Sequence, residues 1–321
     1  MKVRNPRLSI QSIDQVEFWL IGIGLGLMAM HLLLWWRLTA DFERLTYSLI
    51  CWAALLTLIW RKRDSVRLIG DVASSTVGAA LIGWILLRSW WAYVYDGVLF
   101  EIAPFFSILG FGLIAVGARQ LRFFWRELII AVILAQPQHH IITFFHNAYN
   151  FSLLTAKIST SMLYYLGFEV TRQGVFILLP TGAIEVNEAC SGVQAAWSLL
   201  QLTAIFLLVF AIRKGDRWLL PGIALAIAFV VNGFRIALLA LIVAGGDKAA
   251  FTYWHHGDGS QLFGVISMVA FGFVCQWFLH RYETQPSVED DSHSDNDSFF
   301  DGESDAMVAD SSEATEVLHK S

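Results

Sequence analysis

Eight apolar runs divide this chain, and no other feature narrows its fold as far. They are Phe18–Trp36, Leu45–Trp60, Val72–Leu87, Leu99–Val116, a fifth that ends at about Ala135 before Pro137, a sixth that starts at Cys190 and stops short of Arg213, then Leu219–Ala244 and Gln261–Leu279. A hydrocarbon core about 30 Å thick takes about 20 helical residues. Inside it every backbone N–H and C=O must find a partner within the protein, which leaves helices and closed barrels. Unbroken runs of this length, without strand-like alternation, predict helices. Apolar residues make up 56% of the chain and charged ones 15%, far from the balance of soluble domains. The predicted fold class is an all-α integral membrane protein of about eight transmembrane helices. The first run reads as a span rather than a cleaved leader, because further spans follow and no small-residue cleavage site ends it. Gly22, Gly24 and Gly26 within it predict close packing against another helix.

Basic residues decide the orientation. Lys2, Arg4 and Arg7 precede the first run, and Arg61-Lys62-Arg63 with Arg67 follow the second. Arg119, Arg122 and Arg126 follow the fourth, Arg213, Lys214 and Arg217 the sixth, and Arg281 the eighth. The remaining loops hold only scattered cases such as Arg37, Arg44, Arg88 and Arg172. Cationic loops stay on the cytoplasmic side, so both termini are predicted there and Cys190 at the outer end of the sixth span. Twelve of the 27 acidic residues, against one of the 22 lysines and arginines, come after Tyr282. The sequence therefore reads as a multi-pass membrane domain over 1–282 and an acidic, Ser-rich, disordered cytoplasmic tail over 283–321. The body is net basic, yet nothing in it points to nucleic acid. Its partner by composition is the lipid bilayer. Of three cysteines, Cys51 and Cys275 lie inside apolar runs, so no disulfide framework is expected.

Between the fifth and sixth runs the pattern changes. Ile141–Leu166 mixes apolar residues at helical spacing with His146, Asn147, Asn150, Lys157 and several Ser and Thr. It reads as an amphipathic helix lying on the outer surface. Glu169–Val186 alternates β-branched and polar residues and turns at Pro180-Thr181-Gly182, which predicts a short hairpin leading to Cys190.

Three polar stretches gather on that outer side. In Asn187–Gln194 a thiol stands at the mouth of a long apolar helix, with Glu188 two residues before it and Ser191 and Gly192 just after. Unpaired amides and the helix dipole at such a position lower a thiol pKa, and the small neighbours leave room for a substrate backbone. A buried, inert filler is the competing reading of Cys190. The seventh run carries Asn232-Gly233-Phe234-Arg235 in otherwise apolar sequence. A guanidinium that deep is costly without a partner, and Asn232, one turn earlier, is placed to hold it. Before the eighth run comes Trp254-His255-His256-Gly257-Asp258-Gly259. A thiolate to attack a carbonyl, a cation to steady the oxyanion and an imidazole to move the proton are what acyl transfer requires.

With these motifs in this order, the chain resembles the exosortase/archaeosortase family, multi-pass membrane cysteine transpeptidases of prokaryotes. The resemblance rests on Ala189-Cys190-Ser191-Gly192, on Asn232-x-x-Arg235 and on His255-x3-Gly259-x3-Phe263, and it covers roughly Ile130–Leu279. It implies Cys190 as the nucleophile, Arg235 as the oxyanion or carboxylate clamp and His255 as the proton-transfer residue, with Glu188, Ser191, Gly192, Asn232 and His256 in support. No cofactor or metal is implied. The implied substrates are exported proteins with a PEP-CTERM-type C-terminal signal: a recognition motif, a transmembrane helix and a basic tail. They would be cleaved at the outer face of the cytoplasmic membrane and passed to an acceptor. His256 adjoins His255, so the choice between them rests on the spacing to Gly259 and Phe263, and replacement of His256 is expected to be tolerated. Two other readings stay open: a multi-pass transporter built around Arg235, and a metal-dependent membrane enzyme using His139, His140, His146, His255 and His256.

Overall fold

The computed structural model describes residues 15–63, 71–91 and 97–283. Lys2, Arg4, Arg7, Arg67 and the acidic tail beyond Glu283 lie outside the described residues. By compactness the chain divides into residues 1–272 and 273–321; the described part of the second, 273–283, is helical. The order of elements is α1 (Gln15–Thr39), α2 (Phe42–Lys62), α3 (Val72–Trp91), α4 (Gly97–Leu121), α5 (Trp125–Leu134), α6 (Gln138–Ala148), α7 (Phe151–Tyr165), β1 (Thr171–Gln173), β2 (Phe176–Leu179), β3 (Gly182–Glu185), a 3-10 turn (Glu188–Cys190), α8 (Val193–Val209), α9 (Asp216–Ala244), α10 (Lys248–His255) and α11 (Asp258–Glu283). Polar residues start several of these helices by capping free amides: Asp41, Asn150 and Asp247 accept from the backbone N–H of Arg44, Leu153 and Ala250.

Each of the eight apolar runs holds a helix, the sixth only over Val193–Val209, and the chain is a multi-pass membrane protein. Among the described residues five stretches are long and apolar enough to cross a membrane: Phe18–Leu38, Phe42–Lys62, Glu101–Leu134, Asp216–Ala244 and Asp258–Arg281. Val72–Arg88 and Val193–Val209 are apolar but shorter. Glu101–Leu134 is not one straight rod. Gly117 leaves helical geometry at φ 75° and ψ 166°, and α5 packs back against α4 and α2. Exposed Leu33, Leu56, Trp60, Val230 and Phe234 suit faces turned to lipid, where the usual rule of apolar residues inside does not apply.

Two expectations about packing are corrected. Nothing lies within 4 Å of a Cβ built on Gly22 or Gly26, and one on Gly24 meets only the Phe111 ring at 3.5 Å. The close approach of helices is between α3 and α4, where a Cβ on Gly110 would stand 2.8 Å from the Gly78 carbonyl oxygen. The segment Ile141–Leu166 is two helices rather than one, broken at Tyr149-Asn150. Its second half, α7, does not simply lie on a surface. It packs along α9 and buries Ser152, Thr155, Ala156, Ser159 and Leu163; the hydroxyls of Ser152, Thr155 and Ser159 are spent on internal hydrogen bonds. A Cβ on Gly233 would come within 2.7 Å of Ile158, so α9 carries glycine where α7 crosses it.

The predicted hairpin is a three-stranded antiparallel sheet in the order β1-β2-β3. Arg172 pairs with Ile177, and Ile177 in turn with Ile184. Alternation sends Ile177 and Ile184 into a core with Leu163, Val186, Cys190, Ile236 and Leu239. The expected turn at Pro180-Thr181 closes β2 onto β3 and seats on the end of α9, where the Thr181 hydroxyl donates to the Ala244 carbonyl at 2.8 Å. The sheet thereby delivers the chain to Cys190 from a fixed point on α9.

Candidate active site

The loop holding Cys190 is built by hydrogen bonds from two helices. Asn187 opens the 3-10 turn, its side chain accepting from the Cys190 N–H at 3.2 Å. The α7 hydroxyls take the loop carbonyls: Ser152 donates to Asn187 O at 3.2 Å and Thr155 to Ser191 O at 2.7 Å. From α9, Asn232 donates through Nδ2 to Cys190 O at 3.0 Å. Gly192 then turns the chain into α8 with φ +79°, and a Cβ there would come within 2.7 Å of Asn232 Nδ2. Only glycine meets both demands cheaply. Ser191, 0% exposed, bonds back to Glu188 O at 2.6 Å. The Glu188 carboxylate faces away to α6, accepting from the Thr143 hydroxyl at 2.9 Å.

The imidazole arrives from α10. Cys190 Sγ lies 3.0 Å from His255 Nε2, so the two sequence-distant candidates meet directly. Phe251, one turn earlier, stacks on the His255 ring with centroids 4.9 Å apart and planes 14° from parallel. Arg235 Nη2 donates to the His255 backbone carbonyl at 3.3 Å. The spaced motif after His255 is a packing device: a Cβ on Gly259 would come within 2.8 Å of both Trp254 and Tyr253, and Phe263 meets Trp254 edge-on at 5.9 Å. Together they set the angle at which α10 hands over to α11.

Two sequence expectations change here. Asn232 was expected to hold Arg235; it holds the Cys190 carbonyl instead, because the left-handed turn at Gly192 brings the loop, not the guanidinium, against its amide. The helix-mouth argument for a depressed thiol pKa also fails. Cys190 is separated from the first turn of α8 by Ser191 and Gly192, and it is 1% exposed. Burial pushes the thiol above its ordinary range, and the Arg235 charge only partly opposes it. Burial pushes His255 below its ordinary range, and charge on His256 and Arg235 acts in the same direction. Both shifts favour a neutral thiol beside a neutral imidazole, which is a base facing an acid that has not yet given up its proton.

Beside this pair lies a cavity of about 290 Å³. The loop contributes Ala189, Gly192 and Gln194, and α9 contributes Asn232 and Arg235. Among the described residues Arg235 Nε is buried without a hydrogen-bond partner, so the guanidinium has donor capacity left for a ligand. The opposite wall was not anticipated: Asp41 and Glu43 at the start of α2, with Gln261 and Gly264 of α11. Phe42 N–H donates to Gln261 Oε1 at 2.8 Å, tying the two helices together. A Cβ at Gly264 would overlap the Glu43 carboxyl group. The signal for this wall was present in the charged residues of Asp41-Phe42-Glu43-Arg44 at the start of an apolar run. Among the described residues no group of three or more His, Cys, Asp or Glu side chains gathers as a metal site.

Comparison with known proteins gives one finding. A family model described as transmembrane exosortase matches residues 35–272. No curated protein and no solved structure matches the chain.

Proposed function

This chain belongs to the transmembrane exosortase family, and from that premise we propose that it is a membrane cysteine transpeptidase. In this reading it cleaves C-terminal sorting signals of exported proteins at the outer face of the cytoplasmic membrane and passes the shortened protein to an acceptor. The observation that carries the reading is the 3.0 Å approach of Cys190 Sγ to His255 Nε2. The cavity that holds Arg235 beside it is lined by residues flanking the cysteine.

The chemistry follows from what each group holds. His255 Nε2 removes the thiol proton as sulfur attacks the scissile carbonyl, so the two neutral groups become charged only in the transition state. The carbonyl oxygen becomes an oxyanion, and the unspent donors of Arg235 stabilise it in a site shielded from water. The tetrahedral adduct collapses to a thioester as His255 returns its proton to the departing amine. An amine, hydroxyl or water then attacks the thioester with His255 again as base, releasing the thiol. Glu188, Ser191, Gly192 and Asn232 act by holding the loop, and no cofactor enters.

The basic loops support a topology with both termini cytoplasmic and eight passages through the bilayer. The substrates that fit are those with a recognition motif, a transmembrane helix and a basic tail, since the helix would bring the motif to the outer end of α9 and α11. The deciding experiment is Cys190→Ala and His255→Ala in the native host, following an exported protein with such a tail by size. Each variant is expected to insert in the membrane and leave the substrate unprocessed. Normal processing by Cys190→Ala ends the proposal.

A further inference from the structure

His255 and His256 are neighbours in sequence, yet their rings meet edge to face with centroids 3.9 Å apart and planes at 82°. His255 Nδ1 lies 2.7 Å from His256 Nε2. Since His255 Nε2 faces Cys190 Sγ at 3.0 Å, sulfur and two imidazoles form one line of hydrogen bonds. A neutral imidazole has one donor and one acceptor nitrogen, so the line runs in only two ways. In the first, His255 Nδ1–H donates to His256 Nε2, and His255 Nε2 is left as an acceptor for the thiol proton. In the second, His256 donates to His255 Nδ1, and the proton on His255 Nε2 points at sulfur. The second arrangement has no base.

We infer that His256 is the positioning residue of this site: it accepts from His255 Nδ1, selects the productive tautomer and stabilises the imidazolium that forms when the thiol proton moves. The inference rests on the reading of Cys190 and His255 given above. The other contacts to His255 do not select a tautomer. Phe251 touches the ring face and Arg235 the backbone carbonyl, so among the described residues only His256 reaches the distal nitrogen. His256 is exposed, and water can satisfy its remaining nitrogen. The charged and titratable groups that meet His255 from other elements are Cys190 on the 3-10 turn and Arg235 on α9. The role is of the kind an oriented acceptor plays in other nucleophile–histidine sites, supplied here by a second imidazole.

The test needs no peptide substrate. In the full chain held in detergent micelles, the rate of Cys190 alkylation by iodoacetamide is followed from the mass of the Cys190 peptide, between about pH 6 and pH 9, across the imidazole and thiol ranges. His256→Ala is expected to lower the neutral-pH rate by about tenfold, the loss of one hydrogen bond to a charged group. His256→Gln places an amide oxygen near the position of Nε2. It is expected to restore the rate to within about twofold, since an amide oxygen accepts from His255 Nδ1 as the imidazole nitrogen does. Continued protection of Cys51, 0% exposed, reports that each variant is folded. A His256→Ala rate and pH profile equal to the parent's overturns the inference, as does a His256→Gln variant as slow as His256→Ala. His255→Ala separates the two claims. If it slows alkylation and His256→Ala does not, the positioning role alone falls. If it leaves alkylation unchanged, the Cys190–His255 reading falls and takes the positioning role with it.

Discussion

Replacing Gly192 with alanine is expected to loosen the site at a point where two costs can be told apart. Gly192 sits at φ +79°, and an L-residue there costs about 1–2 kcal/mol in backbone strain. The new Cβ would also stand 2.7 Å from Asn232 Nδ2, which donates to the buried Cys190 carbonyl at 3.0 Å. Pushing the amide aside leaves that carbonyl unsatisfied, a further cost of about 1–3 kcal/mol. The sum is about 2–5 kcal/mol. Denaturant unfolding of the full chain in micelles, followed by Cys190 exposure to iodoacetamide, measures it. The decisive comparison is a double-mutant cycle with Asn232→Ala. In that background the amide is gone, so Gly192→Ala is expected to cost only the strain, about 1–2 kcal/mol. An undiminished cost in the Asn232→Ala background would refute the claimed clash. A cost under about 0.5 kcal/mol in both backgrounds would refute the need for a left-handed residue, since strain there exceeds the few tenths that unstrained surface changes produce.

Arg235→Lys is expected to accumulate as folded protein while processing falls on the order of a hundredfold or more, because a point charge replaces the forked donor that steadies the oxyanion; normal processing would make Arg235 a packing residue. Cys190 alkylation is expected to rise steadily with pH through and beyond the ordinary thiol range near 8.5, without the flat plateau of a preformed thiolate–imidazolium pair, because burial raises the thiol and lowers His255. A plateau extending below neutrality would contradict those directions. Gly264→Ala is expected to displace the Glu43 carboxyl group and reduce processing with little change in Cys190 alkylation, since the overlap lies on the α2–α11 wall of the cavity, away from the cysteine loop. Equal loss of both would place the disturbance at the cysteine loop instead.

Much of the site was legible because its chemistry requires residues that membrane helices otherwise avoid. A guanidinium at position 235 and paired imidazoles at the mouth of an apolar run stand out against their neighbours, and Cys190 is marked by the small residues after it. What pattern could not reach was pairing between distant segments. The hydroxyls of Ser152 and Thr155 read as an interfacial face because a one-dimensional pattern shows that they are polar, not that the Asn187 and Ser191 carbonyls wait opposite. Asn232 was assigned to Arg235 by helical spacing, but spacing within a helix says nothing of a loop that crosses it. Asp41 and Glu43 were passed over because they stand more than two hundred residues from Gln261, the side chain that anchors their backbone. The direction of the thiol shift was misjudged for a related reason: burial is a property of the assembled fold, and helix position alone does not report it.

The distance along the chain between sulfur and base has a consequence for how the protein is made. Cys190 and His255 are 65 residues apart, with α8, α9 and most of α10 between them. During synthesis the cysteine loop leaves the ribosome well before the imidazole that serves it. On the roles proposed above, the sulfur has no base until α10 folds back over α9, and neutral thiols are poor nucleophiles. The cavity also lacks its α11 side until the last helix is in place. On those roles, a copy in which α10 and α11 are not yet placed holds the cysteine loop without its imidazole and without the far wall of the cavity.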